Sequence, residues 1–132
     1  MSAHDSHGAA LIDRVRAQRA KWVDVAPGKR VQIVRPPEVQ AAERFMRPSA
    51  VPGQVLLNAG LAEVQDYVRG WDGITEADIV GSAGASDLPA PFSQQLWAVV
   101  VEDHADWMRV VAQGLLDLIV EHQQTKAGIA KN

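Results

Sequence analysis

No cysteine occurs among the 132 residues, which excludes a disulfide framework, a thiolate metal site and thiolate catalysis. No stretch approaches the roughly eighteen continuous apolar residues of a membrane-spanning helix. A secretory signal needs a basic region followed by an apolar run, whereas the start, MSAHDSHGAALIDRV, carries two histidines and an aspartate. The expectation is a cytosolic chain that spans no membrane. Nor is there an excess of positive charge: 13 basic against 16 acidic residues give a formal charge of -3. That balance offers no broad attraction for phosphate backbones, so nucleic acid is not an expected partner. Aromatic side chains amount to 5% of the chain, and three of the four tryptophans fall between Tyr67 and Trp107. Large apolar side chains gathered around a Gly/Ser/Pro loop describe a small packed unit.

What is present suits one domain. With 47% apolar residues, the chain can bury a core without staples. Nine basic residues lie before position 50, at Arg14, Arg16, Arg19, Lys21, Lys29, Arg30, Arg35, Arg44 and Arg47, while acidic residues dominate from Glu63 to Glu121. Two electrostatic poles follow from this division: either a basic face that docks an acidic partner or a neighbouring copy, or simply solvated charge.

Residues 1–7, small and polar, read as a disordered start. From Gly8, the apolar positions Leu11, Ile12, Val15 and Trp22 recur at helical spacing among arginines, predicting an amphipathic helix of about three turns. Its stripe is narrow, which fits a lid over the core or a docking helix, the lid being the commoner arrangement. Two β-branched runs, Trp22 to Val25 and Arg30 to Val34, flank Ala26, Pro27, Gly28 and Lys29. Proline followed by glycine pre-sets a tight turn, so a β-hairpin is expected near 22–34, with Val31 and Ile33 on its inner face. Pro36 and Pro37 stop the sheet, and Pro37 opens a helix through Glu38 to Met46, ended by Pro48 and Pro52. From Gly53 to Arg69, Leu57, Leu61, Val64 and Val68 step by four, three and four, predicting another helix capped by Gly70. TEAD supplies a threonine cap for a short helix ending near Gly81, GSAGASDLPAP is a loop, and Ser93 caps QQLWAVVVEDH. Asp103, with Asp106 three residues on, opens a last helix whose face holds Trp107, Val111, Leu115, Leu118, Ile119 and His122. Residues 126–132 should fray. The expected fold is α+β, mainly α: one helical domain over 8–125 with an N-terminal β-hairpin.

Candidate chemistry is thin. His4 and His7 lie three apart in the expected disordered segment, without a third metal ligand near them. His104, in EDHAD, fits a turn between two capped helices, and His122 fits a cation near a helix C-terminus. There is no G-x-S-x-G turn, and Ser93 serves as a cap. Gly70, Gly73, Gly81 and Gly84 lack the lysine of a P-loop and the strand of a dinucleotide site. The carboxylate pairs Glu76/Asp78 and Glu102/Asp103 are explained by capping or solvation. Trp71, Trp97 and Trp107 either line a partner groove or form core, core being the usual outcome. No catalytic, cofactor or metal residue is assigned, and no enzymatic activity is expected. Partner-binding residues are not fixed by the sequence, although the apolar faces of the first and last helices are candidates.

The order GWDGITEADI, a Gly/Ser loop, PFSQQLW, an acidic D-x-x-x-W helix start and a tail ending in KN resembles small proteins of tailed bacteriophages and prophages, the tail assembly chaperones. PGKRVQIVRPPE upstream fits the same group. The likeness spans residues 20–132 loosely and Val68 to Trp107 best. It implies a non-enzymatic protein of the bacterial host cytoplasm that coats or solubilises a tape-measure or tail-tube protein before polymerisation, with homo-oligomerisation open. The family has no catalytic residues to carry over. A structural virion component such as a tail terminator, connector or baseplate-associated protein shares these traits, although many carry more β structure. A small regulatory or host-interaction protein is a third reading.

Overall fold

The computed structural model describes residues 3–81 and 86–131, with side chains over 6–81 and 86–129. Its elements run α1 (Ala3–Gln18), β1 (Ala20–Ala26), β2 (Lys29–Val34), α2 (Glu38–Arg44), β3 (Met46–Pro48), β4 (Val55–Leu57), α3 (Leu61–Val64), a 3-10 turn (Gln65–Tyr67), β5 (Val68–Asp72), α4 (Glu76–Val80), α5 (Gln94–Val100) and α6 (Ala105–Lys131). This is an α+β fold, mainly α, built on a small antiparallel sheet.

The hairpin forms where the Pro27-Gly28 pair places it. Gly28 takes a φ of 74°, which glycine adopts without steric cost. Val23 then pairs with Val31 and Lys21 with Ile33. Val31 and Ile33 are fully buried, while Gln32 and Val34 on the other face are half-buried. A two-stranded ribbon alone is marginal. Here β5 adds a third strand against β2, giving the order β1-β2-β5, and α6 packs on the hairpin.

Along α6, Trp107, Val111, Leu115 and Ile119 recur every four residues and are all buried, with Leu118 and His122 half-buried beside them. They meet Trp97, Phe45, Val64, Val68 and Ile74 in one core. Each large aliphatic chain so buried contributes about 1.5–3 kcal/mol. Thr75 caps α4 in a reciprocal capping box with Asp78, Gly81 closes it at a φ of 69°, and the Ser93 hydroxyl accepts from Leu96 N–H at the start of α5.

Several expectations need correction. The helix expected over Gly53 to Arg69 is instead β4, the short α3, a 3-10 turn and β5. Asn58 N–H donates to the Phe45 carbonyl at 2.8 Å, holding the β3–β4 ribbon, and Gly60 starts a helix of only four residues. Val68 is already extended, and Gly70 pairs with Gln32 inside the sheet instead of capping a helix. The helix after Pro37 stops at Arg44, before Pro48 or Pro52 can act, because Met46 begins β3. At the start, α1 extends back to Ala3 instead of beginning near Gly8, and at the end α6 continues helically to Lys131 through the stretch expected to fray. Helix α6 opens at Ala105, with Met108 N–H bonded to the His104 carbonyl, so His104 and not Asp103 holds the cap position. Of the loop expected over Gly81 to Pro91, residues 82–85 lie outside the described residues, and the rest is tied back by a Thr75–Pro89 bridge and by Ala90 N–H donating to the Ile74 carbonyl. Among those residues no helix is long and apolar enough to cross a membrane.

A candidate protein-binding surface at the first helix

Helix α1 does not cover the core. Every residue from Leu11 to Gln18 is exposed, and the apolar stripe stands open: Leu11 is 45% exposed, Ile12 53% and Val15 46%. The lid arrangement is therefore replaced by an exposed helix tied at its root, where Arg35 N–H donates to the Arg19 carbonyl at 2.8 Å and joins the helix end to the end of β2. Trp22, the fourth position of the expected stripe, lies instead on β1, 40% exposed, with the Arg30 guanidinium 4.4 Å from its ring.

At the root of α1 the chain encloses a cleft of about 550 Å³ lined by Arg16, Arg19, Arg35, Arg69, Gln40 and Tyr67. Among the described residues, none of those four arginines has a carboxylate within ion-pairing distance. The Arg19 Nε is buried without a hydrogen-bond partner. Burial, and then the neighbouring Arg19 charge, push the Arg35 guanidinium below its ordinary value against a smaller opposing pull from Glu38. Arg44, just beside this cleft, is treated differently: it pairs with Asp66 at 2.8 Å and donates to the Tyr67 hydroxyl at 3.2 Å. That hydroxyl in turn donates to Gln40 Oε1 at 2.6 Å.

A second groove of about 500 Å³ lies between α2 and the far part of α6. Glu38 Oε1 bridges it, 2.8 Å from His122 Nε2 and 2.7 Å from Lys126 Nζ. Hydrogen bonds from Lys126 and His122 hold the Glu38 carboxyl below its usual range. His122 is thus placed by a carboxylate on another helix; with α6 continuing to Lys131, the helix C-terminus lies too far along for the dipole to explain it.

The other candidates separate in the structure. His104 stacks on Trp107 with ring centroids 4.0 Å apart, and its Nε2 lies 3.3 Å from the Asp78 carbonyl. His7 is exposed on α1; the His4 side chain and Gly84 lie outside the described residues. Trp97 and Trp107 are core, while half-buried Trp71 donates from Nε1 to the Ala90 carbonyl at 2.8 Å and meets Phe92 edge-on. Asp78 serves the α4 cap and pairs with Lys29 at 2.7 Å, while Glu76 sits in the first turn of that helix. Among the described residues no group of three or more His, Asp or Glu is placed to hold a metal ion. The arginine cleft escaped the sequence reading because Arg69 sits on a strand that had been expected as helix.

No protein-family model, curated protein or solved structure matches the chain.

Proposed function

We propose that this protein works by protein contact, as a chaperone-like factor of phage tail assembly that shields a tape-measure or tail-tube protein through α1. The observation that carries the reading is the open stripe of Leu11, Ile12 and Val15 on a helix whose residues from Leu11 to Gln18 are all exposed. In proteins most of a helix's stability comes from covering its amphipathic face. A helix that leaves its apolar face bare is suited to cover, and be covered by, the apolar face of another helix. Arg14 and Arg16 beside the stripe favour an acidic partner face. The tail-assembly assignment itself is supported by the order of motifs from Gly70 to Trp107.

The test is co-expression with a long helical tape-measure or tail-tube protein of a tailed phage. Wild-type protein is expected to keep that partner soluble, and the Leu11→Gln/Ile12→Gln/Val15→Gln variant to lose the effect while remaining folded. Equal solubilisation by both would remove α1 from the mechanism. Recovery of the protein in purified particles at fixed stoichiometry would instead identify a structural virion component.

A further inference from the structure

Four arginines line one cleft with no carboxylate within ion-pairing distance among the described residues, and the two less exposed, Arg19 and Arg35, are set against each other. Like charges in a partly desolvated space repel more strongly than in water, and the unpartnered Arg19 Nε adds a desolvation cost. The depressed Arg35 guanidinium, shifted by burial and by Arg19, reports the same conflict. Arg44 next door, by contrast, is paired with Asp66. Groups that cost stability without a partner of their own mark places shaped for a ligand.

The ligand chemistry follows from the side chains. All four are arginine, although Lys21 and Lys29 occur in the same part of the chain. Guanidinium forks suit flat two-oxygen anions, which they meet through paired hydrogen bonds. The place of the cleft then names the source. Arg16 and Arg19 follow Ile12 and Val15 by four residues each, so the apolar stripe of α1 runs at helical spacing into the arginines at its root. One continuous surface offers apolar contact first and cationic contact next.

We infer that the cleft formed by Arg16, Arg19, Arg35 and Arg69 receives carboxylates from an acidic stretch of the same partner segment whose apolar face lies along α1. This rests on the protein-contact reading above and adds the partner's chemistry: an amphipathic segment with clustered Glu or Asp next to its apolar residues.

The experiment uses the full chain and a fluorescein-labelled helical peptide with leucines at i, i+3, i+4 and i+7 followed by a Glu-Glu-Asp-Glu run, read by fluorescence anisotropy. A matched peptide carries Gln and Asn in place of the acids. The acidic peptide is expected to bind at least about tenfold more tightly than the neutral one, with affinity falling as salt rises. The Arg16→Gln/Arg69→Gln variant, altered at two exposed positions, is expected to erase that preference while keeping its residual affinity for the neutral peptide. Three results overturn the inference: equal binding of both peptides; displacement of the acidic peptide by inorganic pyrophosphate at far lower concentration than by glutamate, which makes this a phosphate site; or tighter association with phosphatidylglycerol vesicles than with the peptide, lost in the same variant, which makes it a membrane contact. Failure of the co-expression test with this preference intact would remove the tail protein as partner and leave the cleft's chemistry standing.

Discussion

Gly114 of α6 lies so near Val23 of β1 that a Cβ built there would stand 2.9 Å from Val23 Cγ1 and 3.1 Å from Ile33 Cδ1. The long helix therefore meets the hairpin backbone to side chain, with no room for a methyl group. Gly114→Ala gains about 1 kcal/mol of helix propensity but overpacks the junction, which costs about 1–3 kcal/mol. A net loss of up to about 2 kcal/mol is expected in urea unfolding. Gly128→Ala, near the exposed end of the same helix with nothing within 4 Å of the new methyl, should stabilise by up to about 1 kcal/mol. A stabilising Gly114→Ala would show that the helix is free to move off the sheet.

Gly73 is the tighter case. Its φ is 80°, and a Cβ would fall 2.0 Å from the Gly28 carbonyl oxygen. The conflicting atom is backbone in the tight turn between β1 and β2, so it cannot move aside cheaply. Gly73→Ala is expected to lower stability by more than about 2 kcal/mol, read as the urea midpoint, whereas Gly53→Ala at a similar φ but in open space should cost about 1 kcal/mol.

Asp78 joins the α4 cap to the hairpin turn through Lys29. Partial burial pushes its carboxyl up, but the hydrogen bonds from Lys29 and Thr75 outweigh this and hold it below its ordinary value. A depressed carboxylate contributes stability that is complete above its unfolded value, about 3.9, and is lost as pH falls through the folded value. Asp78→Asn is therefore expected to cost about 1–2 kcal/mol at neutral pH. Unfolding curves of the two proteins should converge as the medium is acidified below that range; a gap that persists in strong acid would assign the loss to packing.

The arginine cleft makes a prediction of the opposite sign. Arg19→Met keeps most of the aliphatic stem, removes the buried Nε without a partner and relieves Arg35. Stability should rise by up to about 1 kcal/mol, and the gain should shrink at high ionic strength, where repulsion is already screened. A loss above about 1 kcal/mol would mean that Arg19 holds the root of α1 in place.

Substituting the α1 stripe should leave the folded core untouched. Because Leu11, Ile12 and Val15 are roughly half exposed, the triple glutamine variant is expected to unfold within about 0.5 kcal/mol of the wild type. A larger drop, measured by the same urea titration, would place these residues in the core after all.

What could be read from the sequence was what depends on neighbours along the chain. The Pro27-Gly28 turn, the Thr75 and Ser93 caps and the four-residue rhythm of Trp107, Val111, Leu115 and Ile119 are local, and each stands where its residues put it. The misreading over Gly53 to Arg69 has a clear physical source. Val64 and Val68 are both fully buried, as a helical face would have them, yet one belongs to α3 and the other to β5. Periodicity records burial, and a chain that changes conformation between two buried residues can keep the same spacing. The fate of α1 was undetermined for a related reason: the stripe has one pattern whether it is covered or bare. The cleft required Arg69 to meet Arg16 and Arg35, a proximity that exists only after β5 has joined β2.

Strand β2 is bordered on one side by the strand just before it and on the other by residues some forty positions onward, as in the Arg30 to Asp72 contact. The first edge can zip within microseconds, whereas the second must wait until the whole intervening stretch has closed into a loop. Until then the outer edge of β2 is bare hydrogen-bonding backbone beside Val31 and Ile33, the kind of edge to which a stray strand can add. The interval before β5 arrives is thus when the newly made chain is most open to aggregation.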